Sequence, residues 1–281
     1  NNEMSSIRAK VFPDGKTHLV FVMAIDEVTS DIYHTYIDGD GWGELEKISQ
    51  GKFLSGSPDL TYDINENPVI VWHNNSYGNY EIFFRAFNGL TWGEITRITN
   101  SSGDSINPRI ERDNNHNYHL VWQDNRDTWW KVLYAFYNVD SSRYIRKVVG
   151  KWFSSGQDGT DTFITEDGHN SKNPDVILTR ERNIFVVWQH DEIKGQSLYA
   201  LSSPTTGTFR TPVNGYPATL LANPAASMTH PFIGKGFSPV GESENINVVW
   251  SDNRSGNYEI FFAKYDSTIN TWKHIETGGL R

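Results

Sequence analysis

The sequence predicts an all-β fold, a five-bladed β-propeller with four antiparallel strands per blade. Three observations lead there: a unit of about 50 residues recurs five times, each unit breaks into short apolar runs divided by turn residues, and helix signals are absent. Two copies nearly coincide, Val71-Trp72-His73-Asn74-Asn75-Ser76-Tyr77-Gly78-Asn79-Tyr80-Glu81-Ile82-Phe83-Phe84 and Val249-Trp250-Ser251-Asp252-Asn253-Arg254-Ser255-Gly256-Asn257-Tyr258-Glu259-Ile260-Phe261-Phe262. Three more share an apolar, β-branched run ending in Trp: Leu120-Val121-Trp122, Val186-Val187-Trp188 and, with Trp replaced, Val20-Phe21-Val22. The anchors read as 22, 72, 122, 188 and 250.

The flanking residues keep the same phase. A proline precedes the anchor by 14 residues at Pro58, Pro108 and Pro174, and Pro231 serves the fifth unit with a five-residue insertion. An aromatic follows by 20 to 22 residues at Trp42, Trp92, Tyr144, Phe209 and Trp272. The units fall at approximately 5–50, 55–100, 105–150, 171–214 and 228–279 of a single domain, 1–281.

Within the second unit the strands are predicted at 58–62, 69–73, 80–87 and 94–99. Their connections, Asp63-Ile64-Asn65-Glu66-Asn67, Asn74 to Gly78 and Asn88-Gly89-Leu90-Thr91, are rich in the residues that initiate turns. A four-stranded blade cannot bury both faces alone, so such units stack around an axis. A β-sandwich also has short strands, but it does not account for a 50-residue register. A first strand at 7–12 and a fourth at 271–277 lead us to expect ring closure by packing of the terminal blades, not by strand exchange.

Composition narrows the function. The chain has 10 Trp, 13 Tyr and 15 Phe, enough aromatic surface to build a core. Its net charge is -9 with no Lys/Arg-rich run, which argues against nucleic acid as a partner. With no cysteine there is neither a disulfide framework nor a Cys-based metal site. No run approaches the roughly 18 apolar residues of a membrane span, so no membrane insertion is expected. Asn1-Asn2-Glu3-Met4 lacks the features of a signal peptide, so the numbering is expected to begin at a mature or trimmed end.

Strand parity in a four-stranded meander places the second turn and the link to the next blade on one face. The two longest links, 148–173 and 211–229, belong to that face. Ordered loops on a rigid scaffold are where binding concentrates. The candidate ligand residues are therefore Trp129, Trp130, Trp152, Phe153, Asp124, Arg126, His190, Asp191 and Tyr216, aromatic rings beside polar groups as sugar recognition requires. Trp129 and Trp130 are also expected to alternate between packing and solvent.

Other motifs have plainer readings. Trp72, Trp122, Trp188 and Trp250 end buried runs and are expected in the core. In Trp-x-Asp-Asn-Arg, at 122–126 and 250–254, the Asp is expected to cap the turn and the Arg to pair with it. The turns at 63–67 and 113–117 lack a complete calcium loop and read as Asx turns. No cofactor and no metal are expected, with calcium in the acidic link 158–167 as the alternative. An enzyme needs paired carboxylates where first strands converge, and Asp59, Asp175 and Arg109 are the candidates for that reading.

The repeat, Pro-x-Ile/Leu/Val followed by Val-Val-Trp-x-Asp-Asn-Arg-x-Gly-Asn-x-Glu-Ile-Phe-Phe, resembles sialidase-like and TolB-like propeller repeats of bacterial and archaeal secreted and surface-layer proteins. The resemblance covers nearly the whole chain and implies a secreted or cell-surface protein. The Ser-x-Asp-x-Gly-x-x-Trp box of sialidases is missing: Gly89-Leu90-Thr91-Trp92-Gly93 and Gly39-Asp40-Gly41-Trp42-Gly43 only echo its tail, and no arginine triad carries over. Five-bladed relatives include lectins and arabinan-type glycosidases. The expectation is a non-enzymatic, lectin-like module binding a glycan or a cell-envelope protein. The alternatives are a glycoside hydrolase or polysaccharide lyase with axial carboxylates, and a structural module of a surface layer or filament.

Overall fold

In the computed structural model, which describes residues 3–137, 152–153, 162–165, 168–179, 183–193, 195–204, 219–225, 227–236, 245–266 and 271–275, the apolar runs become strands of five antiparallel sheets. The first holds β1 (Met4–Val11), β2 (Thr17–Ala24), β3 (Ser30–Asp38) and β4 (Gly41–Trp42), with β5 (Glu46–Lys47) also on β3. The second is β6 (Ser55–Tyr62), β7 (Pro68–Asn74), β8 (Glu81–Ala86) and β9 (Thr96–Arg97). The third is β10 (Ser105–Arg112), β11 (Tyr118–Asp124), β12 (Lys131–Tyr137) and β13 (Trp152–Phe153), with β14 (Thr162–Phe163) also on β12. The fourth is β15 (Ser171–Leu178), β16 (Asn183–Glu192), β17 (Gly195–Pro204) and β18 (Thr219–Ala225); the fifth is β19 (Met228–Gly236), β20 (Asn245–Asp252), β21 (Glu259–Asp266) and β22 (Thr271–Ile275). Among the described residues there is no helix.

Turn chemistry sets the hairpins. Asp63 Oδ1 accepts the N–H groups of Asn65 and Asn67 at 2.8 Å each, and Asp113 Oδ1 does the same for Asn115 and Asn117. These are Asx turns, with Glu66 and His116 left-handed at φ 65° and 69°.

The chain divides into two compact units, residues 1–128 with 136–153 and residues 129–135 with 154–281. In the first unit, Val20, Val22, Ile32 and Ile48 of the first repeat pack against Leu60, Ile70, Trp72 and Phe83 of the second, and Trp72 is 1% exposed. In the second, Trp250 is buried with Ile177, Phe185 and Val187. Trp122 and Trp188 are buried as well, so the four tryptophans are core, not platforms.

One anchor moves by a residue. In each of three pairs a Trp on the second strand stacks on an aromatic of the third: Trp72 on Phe83 at 5.9 Å, Trp188 on Tyr199 at 6.0 Å, Trp250 on Phe261 at 5.9 Å. In the first sheet Phe21 stacks on its partner Tyr33 at 6.2 Å, so Phe21, not Val22, stands at the tryptophan position. The cause is the length of the preceding turn: Phe21, Trp72 and Trp122 each lie six residues after the left-handed residues Gly15, Glu66 and His116.

Every first strand carries a bulge at the same place. Register shifts fall between Ser5 and Arg8, Gly56 and Asp59, Ile106 and Arg109, Lys172 and Asp175, and Thr229 and Phe232. Inside each shift sits a non-glycine residue at positive φ: Ser6, Ser57, Asn107, Asn173 and His230.

Candidate functional site

The Trp-x-Asp-Asn-Arg motif is a turn lock. Asp124, 1% exposed, accepts Arg126 Nε and Nη2 at 2.8 Å each, the Arg126 N–H at 2.9 Å and the Ser105 hydroxyl at 2.7 Å. Asp252 is likewise buried and accepts the Arg254 guanidinium and, at 2.9 Å, Trp250 Nε1. Burial acts to raise both carboxyl groups, but the arginine, hydroxyl and indole donors outweigh it and hold them below the usual carboxylate range. The following Asn125 and Asn253 accept the N–H groups of Asp104 and Ser227, which fixes the incoming link. In the second sheet Asn74 takes the aspartate's place and donates to Ser55 Oγ at 3.0 Å.

His190 occupies the same position in the fourth sheet. It is buried, and its Nδ1 lies 2.9 Å from the hydroxyl of Ser171, the equivalent of Ser105. The Ser171 N–H donates to the Trp130 carbonyl at 2.7 Å, so Trp130 and His190 converge on one serine. Asp191 receives Lys172 Nζ at 3.1 Å and Gln196 Nε2 at 3.0 Å, which outweigh burial and lower its pKa. Trp129 is 43% exposed and Trp130 half-buried, the expected alternation. Trp152 and Phe153 form β13, paired in register with Tyr137 and Phe136. Tyr216 and most of the link 158–167 lie outside the described residues. Among the described residues no group of three His, Asp or Glu side chains is placed to hold a metal.

A different cluster forms where β1, β6 and β10 run side by side in the first unit. Alternation buries Pro58, Leu60, Pro108 and Ile110 and leaves Asp59, Arg109 and Glu111 half-buried on the other side. Lys10 Nζ contacts Glu111 Oε1 at 2.7 Å, and Asp59 Oδ2 accepts the Ile110 N–H at 2.9 Å. Burial acts to lower the Lys10 pKa, yet Glu111 and then Asp59 outweigh it and the net shift is upward. Among the described residues neither Glu111 Oε2 nor Asp59 Oδ1 has a hydrogen-bond partner.

That separates two aspartates which the sequence treats alike. Both oxygens of Asp175 are held by backbone N–H groups, Oδ1 by Val176 at 3.1 Å and Oδ2 by Ile233 at 3.0 Å. Asp175 is a strand clamp, whereas Asp59 keeps one oxygen open beside a second carboxylate. Glu111 was not among the residues singled out in the sequence. The available signal was alternation: Glu111 lies two residues beyond Arg109 and shares its side of the strand.

Beside this cluster sits His73. Its Nδ1 accepts the Asn107 N–H at 3.3 Å, and its ring packs edge-on against Tyr80. Burial first, and then the Arg109 charge, push its pKa down to about 3. His73 is therefore neutral near pH 7.

No protein-family model matches the sequence, and comparison with curated proteins gives no match. Solved structures do align. A protein of unknown function from Dyadobacter fermentans is 9% identical with a TM-score of 0.65, over 99% of this chain and 84% of that one. An α-L-arabinofuranosidase from Fusarium graminearum is 13% identical with a TM-score of 0.63, over 95% of this chain and 79% of that one. The NanB sialidase of Streptococcus pneumoniae is 8% identical with a TM-score of 0.62, and this chain covers 60% of its length. At these identities the likeness is one of fold: the chain is all-β and has a sialidase-like propeller fold.

Proposed function

We propose that this chain is a carbohydrate-active propeller that hydrolyses glycosidic bonds at the first-strand edge of its first unit, with its five sheets serving as the blades of one domain. The second oxygens of Asp59 and Glu111 carry the proposal: two carboxyl groups on neighbouring strands, each anchored through one oxygen and, among the described residues, without a partner at the other. Glycoside hydrolysis needs such a pair, one to protonate the leaving oxygen and one to act as base or nucleophile. Lys10, in contact with Glu111 and within electrostatic reach of Asp59, supplies a positive charge. The alignments to a sialidase and an arabinofuranosidase favour this reading over the non-enzymatic module expected from the sequence.

Asp124, Arg126 and His190, singled out for ligand binding, are spent on holding turns and strands, which weakens the binding-only reading further. Exposed Trp129 and Tyr77 are what remain in its favour. A panel of chromogenic and fluorogenic glycosides is the test, run on wild type, Asp59→Asn and Glu111→Gln. Turnover by wild type with a loss of at least 100-fold in each variant is expected. Glycan binding without turnover of any member would point to a lectin-like module.

A further inference from the structure

We infer that Ser57, His73 and Asn107 form a neutral subsite that reads the hydroxyl groups of an uncharged sugar ring beside Asp59 and Glu111. This rests on the hydrolase reading above. Its starting point is strain. Non-glycine residues at positive φ are uncommon and strained, and a bulge of this kind is the place where glycine relieves the strain. The chain instead keeps Ser6, Ser57, Asn107, Asn173 and His230 at this one position of all five repeats. In four of them the next residue is proline, which restricts the backbone further. All five side chains can donate and accept hydrogen bonds. Where glycine is the relaxed choice, a row of polar side chains marks a site in which the side chain is used.

In the first unit these side chains are already oriented. Ser57 Oγ donates to Asn107 Oδ1 at 2.7 Å, and Asn107 Nδ2 donates to Gln123 Oε1 at 3.1 Å. The Asn107 N–H donates to His73 Nδ1, so the ring's proton belongs on Nε2. Among the described residues His73 Nε2 has no acceptor, and it lies over Gly56, where a Cβ would stand 2.5 Å away. Gly56 thus leaves the room in which the ring sits. The row offers a donor at His73 Nε2, further acceptor capacity at the Ser57 hydroxyl and the open oxygen of Asp59, the pattern that adjacent sugar hydroxyls complement. Ser57, Asn107, Gln123 and neutral His73 carry no charge and Asp59 can only accept, so the row itself brings no cationic side chain to pair with an anionic substituent, which favours a neutral ring.

The experiment measures kcat and KM on 4-nitrophenyl arabinofuranoside, galactopyranoside and glucopyranoside and on a 4-methylumbelliferyl sialoside, for wild type, Ser57→Ala, His73→Gln and Asn107→Gly. A neutral glycoside should be the substrate. KM should rise 10- to 100-fold in Ser57→Ala and His73→Gln with kcat within about threefold, the signature of lost substrate binding. The melting temperature of Asn107→Gly should fall by no more than a few degrees, because relief of backbone strain offsets the lost side-chain bonds. The KM effect of His73→Gln should be the same at pH 5 and pH 8, since His73 does not titrate there. Turnover of a neutral glycoside with KM unchanged in both Ser57→Ala and His73→Gln overturns the subsite and leaves the hydrolase standing. Turnover of the sialoside alone does the same. No turnover of any substrate removes the hydrolase reading and the subsite together.

Discussion

Replacing Asp124 with alanine isolates the turn lock, and the structure fixes what it should cost. Four kinds of donor lose their acceptor: the Ser105 hydroxyl at 2.7 Å, the Ser101 hydroxyl at 3.3 Å, the Arg126 N–H at 2.9 Å and the Arg126 guanidinium at 2.8 Å through two nitrogens. Ser105 is fully buried, so its stranded hydroxyl costs about 1–3 kcal/mol. Arg126 is 25% exposed and turns to water, which keeps its share of the loss below the roughly 3–5 kcal/mol of a fully buried broken pair. The expected loss is about 2–4 kcal/mol by guanidinium unfolding followed through tryptophan fluorescence. Asp124→Asn should cost less, because Asn74 at the same place in the second sheet still engages the equivalent serine, its Nδ2 donating to Ser55 Oγ. Glycoside turnover should be unaffected in both variants. A loss under 1 kcal/mol in Asp124→Ala, or a selective fall in turnover, would refute the assignment of this residue to folding.

Acid should unfold the first sheet early. His18 Nδ1 and His34 Nε2 meet at 2.9 Å, and His34 Nδ1 lies 3.1 Å from Glu46 Oε2. Burial, joined at His18 by the His34 charge, pushes both down to about 4. A lowered histidine pKa means that the unfolded chain binds the extra proton, so stability present above pH 6.5 is lost as pH falls from there towards 4. The unfolding free energy should drop by about 2 kcal/mol for each of the two histidines between pH 7 and pH 5, and by less in His18→Gln; a flat profile in wild type contradicts this. In the core, Trp72→Ala should cost about 3–5 kcal/mol and Trp72→Phe much less, as Phe21 fills the same place in the first sheet; equal losses by denaturant titration would count against that equivalence. Gly56→Ala drives a Cβ into the His73 ring and should lower the melting temperature, with partial recovery in Gly56→Ala/His73→Ala.

What the sequence made legible was the part governed by local rules. Alternation, the Asx turns at Asp63 and Asp113 and the buried tryptophans each follow from a few neighbouring residues. What it hid depends on register between strands. Phe21 and Val22 exchange roles through one residue of turn length, and the bulges at Ser57 and Asn107 arise only once first and second strands are paired. The same holds for the site. Asp59 and Asp175 follow the same proline, and the cross-strand backbone donors that hold them, Ile110 for Asp59 and Ile233 for Asp175, lie far away in sequence. Glu111 stood in plain view, but its pairing with Lys10 spans 101 residues of sequence.

A co-crystal of Glu111→Gln with an uncleaved glycan reports directly on where this protein meets its substrate. Ordered sugar density against Ser57, Asp59, His73 and residue 111 is the predicted outcome. Density seated instead on the turn around Tyr77, with the first-strand edge holding only solvent, would contradict it.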